Sequence, residues 1–110
     1  MRFGSIAVLL FFICIGPLAA QNREQVVRLP GPDGSTLVAT VMRPPGEARS
    51  PLVVINHGSP ADGSRRTKME RPRYTALSSF FVSRGYVVAL PLRRGYGESG
   101  GSWAEGYGSC

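Results

Sequence analysis

Residues 51–60 read Pro51-Leu52-Val53-Val54-Ile55-Asn56-His57-Gly58-Ser59-Pro60. Leu52 through Ile55 is apolar without alternation, the pattern of a strand buried on both faces of a parallel sheet. A second run of the same kind, Tyr86-Val87-Val88-Ala89-Leu90, leads into Arg93-Arg94-Gly95-Tyr96-Gly97-Glu98-Ser99-Gly100-Gly101. Between the two runs, Pro72 suits a helix start. Tyr74, Leu77, Phe80, Phe81 and Arg84 recur at helical spacing, and Gly85 suits the C-terminal cap. Strand, loop, helix and strand make one βαβ unit with its two strands parallel. In open α/β sheets ligands bind beyond the carboxyl ends of the strands. The two glycine-bearing loops, starting at His57 and Arg93, leave those ends.

Upstream, Gln25–Leu29 and Thr36–Met42 are rich in β-formers, and Pro32-Asp33-Gly34 between them is a tight-turn signal, so the pair reads as an antiparallel hairpin. Residues 43–50 form a loop rich in proline and charge, and residues 57–71 a polar connection. The fold class is α/β, a hairpin followed by a parallel βαβ unit.

The first twenty residues are an address. Met1-Arg2 is a short positive start, Ile6–Ile15 an apolar run, and Gly16-Pro17-Leu18-Ala19-Ala20 ends in small residues. This is the order of a secretory signal peptide, with cleavage after Ala20. The apolar run is about half of the ~20 residues a spanning helix needs, so no stable membrane anchor is expected. Cys14 is a poor lipid acceptor, since it lies inside the apolar run and follows the bulky Ile13. Export to a bacterial periplasm or medium follows. Of the 2 cysteines only Cys110 remains after cleavage, and its pairing partner is expected downstream. Of the 110 residues, 14 Gly and 9 Pro rule out a sustained coiled coil. The net charge of +6 falls to +5 without Arg2, a balance that gives little reason to expect nucleic acid binding.

The hairpin, Leu52–Pro60, the helix ending in Ser83-Arg84-Gly85-Tyr86, and Arg94-Gly95-Tyr96-Gly97-Glu98-Ser99-Gly100-Gly101 together resemble the N-terminal part of the α/β-hydrolases. The flavour is that of dienelactone hydrolase and acyl-peptidase-like members, over roughly residues 24–105. His-Gly-x-Pro and Arg-Gly-x-Gly-x-Ser, each behind an apolar strand, form the specific pair. The resemblance implies that residues 21–110 are the N-terminal part of such a domain, ending before the nucleophile elbow. Acyl transfer builds negative charge on a carbonyl oxygen, which preorganised backbone N–H groups stabilise. In this family one donor comes from the loop after the third strand, which places it at the Ser59 N–H, with Gly58 and Pro60 shaping the loop. His57, Arg94, Gly95, Gly97 and Ser99 are implied to hold the two loops. The family's catalytic base comes late in the chain, so His57, the only histidine, reads as structural.

Other readings weigh less. Gly95-Tyr96-Gly97-Glu98-Ser99-Gly100 also fits Gly-x-Gly-x-x-Gly, yet Pro91-Leu92-Arg93-Arg94 separates it from its strand and Gly101-Ser102 is a poor helix start. A dinucleotide cofactor is therefore not expected. One histidine and one terminal cysteine do not make a metal site. Arg65, Arg66, Lys68, Arg71 and Arg73, with Arg93 and Arg94, could steer an acidic substrate, but a solvated polar loop with Arg94 in a structural ion pair fits them better. Ser99, Ser102 and Ser109 lie in no Gly-x-Ser-x-Gly elbow and have no second histidine to activate them. The implied parent is an exported serine hydrolase. It would cleave an ester, thioester or peptide acyl bond of a small-molecule or peptide substrate through a Ser-His-Asp triad beyond residue 110. Residues 1–110 alone are expected to be inactive, with no cofactor. The alternative is a non-catalytic binding relative that keeps the fold and lacks the triad.

Overall fold

The computed structural model describes residues 23–46 and 48–106. Residues 1–20, expected to be a signal peptide, and Cys110 lie outside them. β1 (Arg23–Pro30) and β2 (Thr36–Arg43) pair antiparallel from Arg23↔Arg43 to Pro30↔Thr36. The turn between them closes through Gly31 N–H to the Ser35 carbonyl at 2.7 Å. The Asp33 carboxylate accepts the Ser35 N–H at 3.2 Å. β3 (Leu52–Val54) and β4 (Val87–Leu92) pair parallel, Leu52 opposite Val87 and Val54 opposite Ala89. Both the hairpin and the βαβ unit are therefore present. An antiparallel ladder from Val38↔Leu92 to Met42↔Val88 joins them, giving the sheet order β1-β2-β4-β3.

Helix α1 (Thr75–Val82) begins three residues later than Pro72 because Tyr74 takes a left-handed conformation, φ 38°. Its end is closed by two bonds, Gly85 N–H to the Val82 carbonyl at 3.0 Å and Tyr86 N–H to the Phe81 carbonyl at 3.1 Å. This pairing, with Gly85 at φ 87°, is the Schellman arrangement, and the Phe81 and Tyr86 rings pack edge-on at 5.7 Å beside it.

Of the apolar residues at helical spacing in α1, Phe81 packs against the core. Leu77 and Phe80 are exposed, whereas Ser78 and Val82 are buried. Ser78 is small enough to bring the helix close to the sheet, and its hydroxyl donates to the Arg73 carbonyl at 2.7 Å. Phe80 is covered instead by the Arg84 guanidinium, 3.6 Å from its ring centroid. Val82 packs on Val88 and Leu90 with Met42, Ile55 and Phe81 around them. Each such aliphatic side chain contributes about 1.5–3 kcal/mol when fully buried.

Within these residues the two parallel strands are not buried on both faces. In β4, Val88, Leu90 and Leu92 are fully buried on the face toward α1, while Val87, Ala89 and Pro91 are half-buried on the other. In β3, Leu52 and Val54 are 62% and 53% exposed. The physical reason is that α1 covers one side only, and β3 has β4 as its single strand neighbour among the described residues. A 3-10 helix, Gly63–Lys68, interrupts the polar connection after β3, with the Asp62 carboxylate accepting the Ser64 N–H at 2.9 Å at its start. No helix among the described residues is long and apolar enough to cross a membrane.

Candidate active site

Beyond Val54, the Ile55 N–H still bonds to the Ala89 carbonyl at 2.9 Å, so β4 carries the chain to the edge of the His57 loop in fixed register. His57 is buried. Its Nε2 accepts the Arg93 backbone N–H at 3.1 Å, and its Nδ1 meets the Gly58 carbonyl oxygen at 2.7 Å. A carbonyl only accepts, so Nδ1 carries the proton and the ring is neutral; the tautomer is assigned from its partners. The Tyr96 ring stands edge-on to His57 at 4.7 Å. Both ring nitrogens are thus engaged in holding the loop.

The second contact fixes a peptide plane. In a planar trans peptide the C=O and N–H point in opposite directions, and no cis bond is present among the described residues. With the Gly58 carbonyl turned onto the buried His57 ring, the Ser59 N–H of the same peptide is directed the other way. Among the described residues it has no acceptor, and neither do the N–H groups of exposed Gly58 and Ala61. Ser59 itself is half-buried.

Arg93–Gly101 forms the second loop. It is a chain of turns and not a helix start: Tyr96 N–H bonds to the Arg93 carbonyl at 3.1 Å and Ser99 N–H to the Tyr96 carbonyl at 2.9 Å. No helix opens between residues 97 and 106, which removes the context a dinucleotide fingerprint needs. Gly97 sits at φ 47° with its N–H on the Arg66 carbonyl at 2.8 Å, and a Cβ there would overlap the Met69 carbonyl oxygen. The buried Ser99 hydroxyl donates to the Leu92 carbonyl and accepts the Val38 N–H at 2.9 Å. It ties the loop to β2 and β4. Arg94 bonds Asp33 at 3.2 Å, fastening the loop to the hairpin turn. That carboxyl lies below its ordinary value, chiefly through hydrogen bonding to Ser35.

The structure also brings in residues that no sequence motif marks. Glu105 takes a two-pronged contact from Arg93, Nε to one oxygen and Nη2 to the other at 3.0 Å. The same guanidinium donates to the His57 carbonyl. These bonds hold the Glu105 carboxyl below its ordinary value of 4.5, Arg93 contributing most, and raise Arg93 in turn. The Tyr96 hydroxyl lies 2.8 Å from Glu105, 2.9 Å from Ser59 Oγ and 3.2 Å from Trp103 Nε1. The Arg66 guanidinium stacks on Trp103 at 3.9 Å, a cation–π contact. Twelve positions separate Arg93 from Glu105 in a glycine-rich stretch, so neither periodicity nor a motif links them.

Of the basic cluster, Arg71 bonds Glu98 at 3.3 Å and Thr40 at 3.1 Å, and Arg73 pairs with Glu24. Arg65 and Lys68, together with Asp62 and Glu70, line an open groove of ≈ 830 Å³ whose lining also includes Gly58, Ser59 and Pro60. Its rim therefore carries both signs of charge. The groove lies beyond the carboxyl end of β3, where an α/β sheet binds its ligand. A smaller groove of ≈ 340 Å³, at the Arg43–Ser50 loop, touches neither motif loop. No group of three or more metal-ligating side chains occurs among the described residues.

A search of curated protein sequences gives no match. Among solved structures, a selenomethionine-labelled α-amino acid ester hydrolase superposes with a TM-score of 0.54 at 22% identity, over 86% of this chain and 17% of that one. The likeness establishes the fold, the N-terminal part of an α/β-hydrolase, and this chain spans 17% of that protein's length. The family model for X-Pro dipeptidyl-peptidase, S15 family, matches residues 33–109, from the hairpin turn through both motif loops. The chain belongs to the X-Pro dipeptidyl-peptidase (S15) family, one of the α/β-hydrolase families.

Proposed function

We propose that this chain supplies half of the oxyanion hole of an exported serine hydrolase, with the Ser59 N–H as donor. The bond cleaved is an ester, thioester or peptide acyl bond, and the family assignment favours a peptide substrate with an X-Pro N-terminus. The observation that carries this reading is the clamped Gly58–Ser59 peptide. Its carbonyl is held by His57 Nδ1, and its N–H has no acceptor among the described residues and faces away from the ring. Such a donor is in place before charge develops on the substrate oxygen, which is the condition for stabilising a tetrahedral intermediate strongly.

Nucleophile, acid and base come from outside these residues. His57 has both nitrogens engaged, and the Ser99 hydroxyl is consumed between Leu92 and Val38. A Ser-His-Asp triad supplied elsewhere in the protein would attack the carbonyl, form an acyl-enzyme and hydrolyse it. Residues 1–20 direct export and are removed after Ala20, leaving no stable anchor. The test is turnover by the full-length protein of a chromogenic X-Pro dipeptide anilide and of a simple aryl ester, with and without a serine-directed phosphonate. Phosphonate-sensitive release of the chromophore is expected. A pure, folded full-length protein with neither turnover nor phosphonate labelling would favour the non-catalytic reading.

A further inference from the structure

We propose that Tyr96 is a positioning residue for the oxyanion loop: its buried hydroxyl fixes the Ser59 side chain, and through it the direction of the Ser59 N–H. This rests on the oxyanion role proposed for Ser59 and names the device that enforces it.

Tyr96 is fully buried, and its phenol offers one O–H and two lone pairs. Trp103 Nε1 can only donate, so at 3.2 Å it occupies one lone pair. Glu105, kept ionised by Arg93, can only accept, and lies 2.8 Å from the phenol oxygen. Ser59 Oγ lies 2.9 Å from the same oxygen. One buried phenol therefore bridges the Ser59 side chain to the Glu105–Arg93 pair.

Arg93 closes the circuit, because its guanidinium donates to the His57 carbonyl and its backbone N–H to His57 Nε2. The Gly58–Ser59 peptide is thus held at its carbonyl by His57 and through the Ser59 hydroxyl by Tyr96. A hydroxyl committed inward also leaves Ser59 with its backbone N–H as the group to offer a substrate. Charge-assisted bonds at the Glu105 end strengthen the whole chain.

A double-mutant cycle in the full-length protein separates positioning from mere packing. Tyr96→Phe removes the hydroxyl and keeps the ring, and Ser59→Ala removes its partner. Each is expected to lower kcat about two- to tenfold, the range of one hydrogen bond, with KM changed by less than about twofold. The double variant should be no slower than the slower single one, because both break the same link. Unchanged kcat in Tyr96→Phe, or losses that multiply, would overturn the proposal. So would a kcat loss that only follows a fall in Tm.

Should Tyr96→Phe fail to fold, the cycle of Glu105→Gln with Ser59→Ala is judged by the same criterion. Ser59→Pro, which removes the N–H itself, separates the oxyanion role of Ser59 from the positioning role of Tyr96. Full turnover in Ser59→Pro removes the oxyanion reading together with this one. Turnover lost in Ser59→Pro, combined with independent losses in the cycle, removes the Tyr96 proposal alone.

Discussion

Gly97→Ala is the substitution whose cost follows most directly from the geometry. The residue sits at φ 47°, and an added Cβ would overlap the Met69 carbonyl oxygen and stand 2.9 Å from Leu92 Cδ2. The left-handed backbone costs a non-glycine residue about 1–2 kcal/mol. Overpacking against fixed backbone adds roughly 1–3 kcal/mol. If the loop moves to relieve the overlap, the 2.8 Å bond from Gly97 N–H to the Arg66 carbonyl is lost instead, at about 1 kcal/mol. The first route costs about 2–5 kcal/mol and the second about 2–3 kcal/mol, so the loss is at least about 2 kcal/mol, or roughly 4–8 °C in Tm for a domain of about 150–250 residues. Displacing Gly97 also moves its neighbour Tyr96 from Ser59, so turnover should fall with stability. Gly100→Ala is the control, since its φ is not in the left-handed region and the nearest atom to its added Cβ is Ser35 Cβ at 3.5 Å. Thermal melts of the full-length protein and both variants, with turnover measured alongside, decide the matter. Equal melting temperatures for Gly97→Ala and Gly100→Ala would refute the packing described for the second loop.

Acid should weaken the site through Glu105. Its carboxyl lies below its ordinary value of 4.5, chiefly through Arg93, so its stabilising effect is present above about that pH and is lost as pH falls through the lowered value. Tm followed from pH 7 to pH 3 should drop more steeply for the native protein than for Glu105→Gln, and parallel curves would contradict this. The 110-residue chain alone should release no product from aryl esters, because its one histidine has both nitrogens engaged. Esterase activity in purified chain, absent from a mock preparation, would show that a base has been missed. Intact-mass measurement of exported protein should give an N-terminus at Gln21, and a mass retaining Met1–Ala20 would overturn the export argument.

The hairpin and the βαβ unit were legible because each rests on local signals: Asp33-Gly34 at the turn and two uninterrupted apolar runs. The pairing of β2 with β4 was not, since antiparallel contact between Val38 and Leu92 depends on tertiary placement and leaves no local pattern. Burial in this chain is not written in the apolar runs, for a related reason. An apolar run such as Leu52–Ile55 states what a strand can tolerate on both faces, whereas exposure depends on what lies against it. For α1, the residues at helical spacing include both Phe81, which packs on the core, and Leu77 and Phe80, which are exposed, while buried Ser78 carries no apolar signal. In the site, His57, Gly58, Ser59 and Pro60 could be found from their motif and position after a strand. Glu105 and Trp103 could not, because their roles come from long-range bonds to Arg93 and Tyr96 across a loop whose path is set by glycine.

The most direct test of the oxyanion assignment is a crystal structure of the full-length protein carrying a covalent phosphonate adduct. The adduct's anionic oxygen is expected within about 2.7–3.1 Å of the Ser59 backbone nitrogen. Gly58 should keep its carbonyl on His57 Nδ1, and Ser59 Oγ should still bond to Tyr96. An adduct oxygen held by other donors, with Ser59 N more than about 3.5 Å away, would contradict the assignment.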